Sequence, residues 1–262
     1  MNLFYRELGD PAAPPIIILH GLFGSSDNWL TISKIIAVEG YRVILPDQRN
    51  HGQSPRNEAF TYAGMAADLH DLITTLGLEN PVLVGHSMGG KTVMQYAISY
   101  PNKFRKLVVV DIAPRFYPVH HTGVLRGLAA IDLAKITTRN EAEAVLSVYE
   151  PLASVRQFLL KNLYRPAPGP GTLPFAWRLN LPVISREIDG IGAALASPRP
   201  VLAPTLFIRG EQSEYIRDED WAGIEQLFPH AELATISGAG HWVQAEKPTE
   251  FVAVLLRFLV QP

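Results

Sequence analysis

The stretch Val84-Gly85-His86-Ser87-Met88-Gly89-Gly90 decides the fold. It carries Gly-x-Ser-x-Gly between an apolar run at 81–85 and an amphipathic segment at 88–99. The run reads as a buried strand, and the segment as a helix with Val93, Met94, Ala97 and Ile98 available for packing. Strand, tight turn and helix in that order are the setting of a nucleophile elbow. The turn is so sharp that the positions two before and two after the serine have no room for a side chain, hence Gly85 and Gly89. A glycine-rich turn with a passenger serine is the alternative, and the flanking elements argue against it. The helix N-terminus behind Ser87 favours negative charge developing beside it.

Working outward, further strand-like runs stand at 16–19, 42–45, 106–110, 205–208 and 232–236. Helical patterns stand at 29–38, 61–76, 218–227 and 249–259. Such alternation implies a parallel sheet wrapped by helices through right-handed crossovers. It stops between 114 and 200, where helix-like pieces surround a Pro/Gly cluster at 166–171. The expected architecture is therefore α/β, a mostly parallel central sheet flanked by helices. Residues 1–113 and 201–262 form the core domain, and 114–200 form a helical cap inserted between two sheet strands.

An elbow serine needs a base, an acid and an oxyanion site. The loop His20-Gly21-Leu22-Phe23-Gly24 faces such a serine in this architecture, so the amides of Leu22 and Met88 are the expected oxyanion donors. The base follows the acid in chain order. His241, in Gly238-Ala-Gly-His-Trp242 between the last strand and last helix, fits that place. His86 adjoins the serine but is expected to point away. His120 and His121 lie in the insertion, His230 on the surface, and His20, His51 and His70 read as structural. Two positions compete for the acid. Asp111 ends the strand at 106–110, while Glu211 and Glu214 follow the strand at 205–208, where Ser213 occupies the more usual carboxylate position. Asp47 and Arg49 read as a pair that pins their loop.

Composition excludes other classes. A net charge of −2 with no basic block argues against a nucleic-acid surface. The absence of cysteine excludes disulfides and thiolate chemistry, and no histidine pair has metal-site spacing, so no metal is expected. Met1 to Asp10 lacks the apolar core of a secretory signal and no apolar run is long enough to span a membrane, which makes cytoplasmic residence the expectation. Oligomeric state is left open.

With these motifs placed, the chain resembles the α/β-hydrolase superfamily over nearly its whole length. HGLFGSSDNW from His20, DQRNHGQS from Asp47, GHSMGGK from Gly85, VVDIAP from Val109 and GAGHWVQAEKP from Gly238 carry the likeness. They are most similar to small bacterial esterases of the YbfF kind and to abhydrolase domain-containing protein 11 of animals. The resemblance implies a Ser-His-Asp hydrolase of simple acyl esters or thioesters, working without a cofactor under a helical cap. It carries over Ser87 and His241. It favours Asp111, because the subgroup has aspartate there and serine where Ser213 stands, which makes Ser213 the candidate support for the triad. Lys91 belongs to the same motif without an evident physical role. Dehalogenases and epoxide hydrolases of this fold place aspartate at the elbow, and Ser87 departs from them.

The expected activity is thus a serine carboxylesterase for short- to medium-chain acyl esters. A cofactor-free perhydrolase or a C–C bond hydrolase uses a similar triad. A ligand sensor that keeps the triad is the reading from another class. Phe23, Phe116, Tyr117, Tyr164 and Trp177 are the aromatics available for pocket walls.

Overall fold

The apolar runs become neighbouring strands of one sheet. The computed structural model describes residues 1–118 and 121–261, so His120 lies outside the described residues. Before the break in the alternation come β1 (Tyr5–Leu8), β2 (Pro15–Leu19), β3 (Arg42–Pro46), β4 (Val82–His86) and β5 (Lys106–Val110). A short ribbon, β6 (Leu163–Tyr164) with β7 (Ala176–Trp177), lies within the break, and β8 (Thr205–Gly210) and β9 (Ala231–Ile236) follow it. The sheet order is β1-β3-β2-β4-β5-β8-β9; β1 runs antiparallel to β3 and the other neighbours are parallel.

The helices α1 (Leu30–Val38), α2 (Tyr62–Thr75) and α3 (Met88–Ser99) connect the first strands. Between β5 and β8 stand α4 (Thr122–Ala130), α5 (Arg139–Leu146), α6 (Ala153–Leu160) and α7 (Leu181–Ile191). The chain closes with α8 (Trp221–Leu227), α9 (Val243–Glu246) and α10 (Pro248–Val260). Two expected helices begin as 3-10 turns, at Ser26–Trp29 and Asp218–Asp220.

The continuous apolar runs follow from burial on both faces of the sheet. Successive strand side chains point to opposite faces. Ile17, Leu19, Leu83, Leu107 and Val109 pack with α2, α3 and α8. Ile16, Ile18, Val84, Val108 and Val110 pack with α1 and α10 on the other side. The helices between β5 and β8 have an apolar cluster of their own. It includes Leu128, Leu146, Ile184 and Ile188, and closes over Phe23, Tyr62, Met65 and Met88. Those four residues flank the carboxyl ends of the strands, so this segment sits over the site.

Its two ends are stitched together. The Tyr117 amide donates to the Gly192 carbonyl at 2.8 Å, and the Leu195 amide to the Pro114 carbonyl at 2.7 Å. The approach is close enough that a β-carbon on Gly192 would meet the Tyr117 carbonyl oxygen at 2.1 Å.

Candidate active site

Ser87 stands at the turn between β4 and α3 with φ 53° and ψ −118°, a left-handed backbone that an L-residue adopts only under constraint. The constraint is visible on both sides. A β-carbon on Gly85 would lie 2.2 Å from the Gly89 carbonyl oxygen, and one on Gly89 would lie 2.6 Å from those of Leu19 and His20. The Ser87 amide donates to Val110 at 3.0 Å, tying the turn to the end of β5.

Asp111 follows β5 directly and is fully buried, with φ 52°. In the register, His86 pairs with Val110, so Ser87 and Asp111 leave neighbouring strands at the same level. Asp111 Oδ2 lies 2.7 Å from His241 Nδ1. Ser213 Oγ donates to the same oxygen, and the Gly210 amide donates to Oδ1 at 3.1 Å. Burial pushes the carboxyl up to about 6, while the Ser213 and Gly210 hydrogen bonds pull the other way. Above that pH the carboxylate accepts from Nδ1–H of His241, which fixes the imidazole tautomer. Glu211 instead accepts from Ser237 and the Gly238 amide at 2.8 and 2.9 Å, holding the turn after β9. Glu214 pairs with Arg217 on the surface. Neither glutamate is on His241.

Leu22 and Met88 border the same cavity as Ser87. Their amides meet no acceptor among the described residues, which leaves both donors available. The Leu22 loop is braced from three directions. The Phe23 amide donates to His51 Nε2 at 3.2 Å, and Asn162 Nδ2 donates to the Phe23 carbonyl at 2.8 Å. His20 Nε2 accepts from the Gln48 amide at 2.9 Å, and Gln48 Oε1 accepts from Thr92 Oγ1 at 2.8 Å. Burial pushes His51 down to about 3 and lowers His20 as well, so both act as neutral braces.

Three readings need correction. Asp47 and Arg49 do not pair. Asp47 accepts the Ser26 and Gln53 amides at 2.7 and 2.8 Å, and Arg49 pairs with buried Asp68 at 2.6 Å. A carboxylate between two amides satisfies the loop locally and leaves the guanidinium to reach α2. The His86 ring does not leave the site. Its Nε2 donates to the His241 carbonyl at 2.8 Å, and its ring lies 4.7 Å from that of His241. Among the aromatics, Phe116 is 59% exposed, so it is no wall, whereas Tyr117 borders the cavity. Phe23 and Trp177 are buried in the upper cluster, and Tyr164 lies 4.0 Å under Arg178.

Tyr215 was not legible as a site residue. Its ring stacks on His241 at 3.9 Å, and its amide donates to Ser213 Oγ at 3.2 Å. Its only sequence signal is its position two residues after Ser213.

The cavity beside Ser87 is small, about 40 Å³. A larger cleft of about 580 Å³ opens between Arg115, Pro198 and α8, but Ser87, Asp111 and His241 do not border it. Among the described residues, no helix is long and apolar enough to cross a membrane.

Known proteins agree with this architecture. The family described as alpha/beta hydrolase fold matches residues 14–248. The chain is 40% identical to sn-1-specific diacylglycerol lipase ABHD11 of Xenopus laevis, covering 96% of this chain and 81% of that one. It is 35% identical to esterase YbfF of Escherichia coli, covering 94% and 92%. The solved structure of a marine microorganism esterase superposes with a TM-score of 0.92 at 41% identity, covering 98% of both chains. The sheet order, the elbow after β4 and these similarities together place the chain in the alpha/beta hydrolase fold family.

Proposed function

We propose that this ester-hydrolysing enzyme is a serine carboxylesterase. Ser87 is its nucleophile, His241 its base and Asp111 its acid. The observation that carries the reading is the 2.7 Å contact of His241 Nδ1 with a buried Asp111, one strand away from a strained serine. With Nδ1 on Asp111, the imidazole takes the Ser87 proton through Nε2 as Oγ attacks an acyl carbonyl. The Leu22 and Met88 amides then bind the oxyanion, each such donor contributing about 3–4 kcal/mol in the transition state. His241 returns the proton to the leaving alcohol or thiol, and water hydrolyses the acyl-enzyme by the reverse route. Ser213 and the Gly210 amide keep Asp111 ionised and oriented.

Residues 114–200 act as a cap that excludes water and limits the acyl group. The small cavity of about 40 Å³ beside the serine favours the shorter acyl chains. Substrates are therefore simple esters or thioesters of short to medium acyl chains. The enzyme works in the cytoplasm on small-molecule esters or thioesters.

The test uses a small fluorophosphonate and a chain-length series. The reagent should modify one residue, Ser87, located by peptide mass spectrometry. Turnover of p-nitrophenyl esters should be highest from acetate to butyrate and decline by decanoate. Labelling at another serine would overturn the assignment, and a steady rise to decanoate would show an open groove in place of a cap-limited pocket.

A further inference from the structure

Lys91 lies on the first turn of α3, and its amide donates to the Ser87 carbonyl at 3.1 Å. Its side chain is buried, with the residue 1% exposed. Among the described residues no carboxylate pairs with Nζ. Instead Nζ donates to the carbonyls of Arg115 at 2.9 Å, Gly192 at 3.2 Å and Ala193 at 2.5 Å. An ammonium has three N–H groups, and all of them are used. The three carbonyls belong to the two stretches where the chain leaves the sheet for the cap and returns from it. The same stretches supply Tyr117 and Gly192 to the wall of the Ser87 cavity. Above Nζ stand the rings of Tyr117 at 4.8 Å and Tyr62 at 5.7 Å, and the Tyr62 hydroxyl donates to the Ile191 carbonyl at 2.8 Å.

A buried cation without a counter-ion is costly, so its retention calls for a reason beyond packing. We infer that Lys91 is a positioning residue that determines acyl-chain specificity: its ammonium clamps both hinges of the cap to the nucleophile helix and holds the pocket wall closed against longer acyl groups. The inference rests on the serine carboxylesterase reading and deepens it.

Burial, reinforced by Arg115, lowers Lys91 to about 7, so the clamp loses one of its donors in a useful range. The phenols facing it stay neutral there. Tyr62 and Tyr117 are raised above the ordinary phenol range by burial, and Arg115 is ion-paired with Asp220 at 2.8 Å.

Lys91→Met keeps the side-chain length and removes the donors. The readout is the ratio of kcat/KM for p-nitrophenyl octanoate to that for p-nitrophenyl acetate. In the variant this ratio should rise about tenfold, the scale on which a pocket discriminates small changes in chain length. An unchanged ratio in a folded variant overturns the inference, as does an equal loss on both esters. If Lys91→Met does not fold, the same ratio is followed against pH in His121→Asn, which removes the imidazole that also borders the cavity. Titration of the Asp111–His241 pair acts on both esters through the same free enzyme and cancels in the ratio. From about pH 6 to about pH 9 the ratio should rise as Lys91 deprotonates; a flat ratio overturns the clamp. The failure of the carboxylesterase reading looks different, because turnover would then survive Ser87→Ala.

Discussion

Ser87→Ala should lower kcat for p-nitrophenyl acetate by about 10⁶-fold, the scale seen when the nucleophile of a comparable triad is removed. His241 would then have only water to activate, and no acyl-enzyme could form. The oxyanion amides of Leu22 and Met88 stay in place, so a residual rate above buffer is expected. Alanine accepts the same strained backbone as serine and adds no atom, so the variant should melt close to the parent. Steady-state kinetics beside a thermal melt settles the matter. A folded variant keeping more than about one part in a hundred of the parent rate would overturn the nucleophile assignment.

Asp111→Asn should lower kcat by about 10⁴-fold while the protein stays folded. An asparagine side chain cannot hold the Nδ1–H tautomer of His241 or stabilise the imidazolium. Glu211→Gln and Glu214→Gln should keep most activity, since those carboxylates serve a turn and a surface ion pair. The parent rate should fall as pH drops through about 6, where Asp111 takes up a proton. Stability runs the opposite way. The folded carboxyl is raised above its ordinary value of 3.8, so its contribution to stability is fully present below 3.8 and is lost as pH rises through about 6. At pH 8 Asp111→Asn should therefore melt no lower than the parent, with any advantage gone near pH 4. A dead Glu211→Gln beside a working Asp111→Asn would move the acid to Glu211 and leave Ser87 and His241 in place.

Local features made the frame legible. The buried runs at β2, β4 and β5 are apolar without interruption because both faces of the sheet are covered. The glycines at 85 and 89 report a turn that tolerates no β-carbon. β1 was missed because Tyr-Arg-Glu-Leu is an edge strand, none of whose residues is fully buried. The ribbon of β6 and β7 has two residues per strand, too few for any period. What remained hidden in the site depends on contacts far apart in sequence. His86 reaches the His241 carbonyl from 155 positions away, and Ser213, 102 positions from Asp111, was legible only through the family resemblance. Lys91 has no local cue at all, because its carbonyls come from Arg115, Gly192 and Ala193, far along the chain.

The order of the parts along the chain bears on biosynthesis. Ser87 and the Leu22 and Met88 amides lie in the first strands to be made, and Asp111 follows soon after. His241 comes after β9, the outermost strand on its side of the sheet. A chain still emerging from the ribosome at residue 200 has the proposed nucleophile and oxyanion donors without the proposed base. Members of the proposed triad act as a unit, so the nascent enzyme stays far below full activity until β8 and β9 have joined the sheet. On the proposed roles, a cell making it is spared a hydrolase that works on its acyl esters before the sheet is complete.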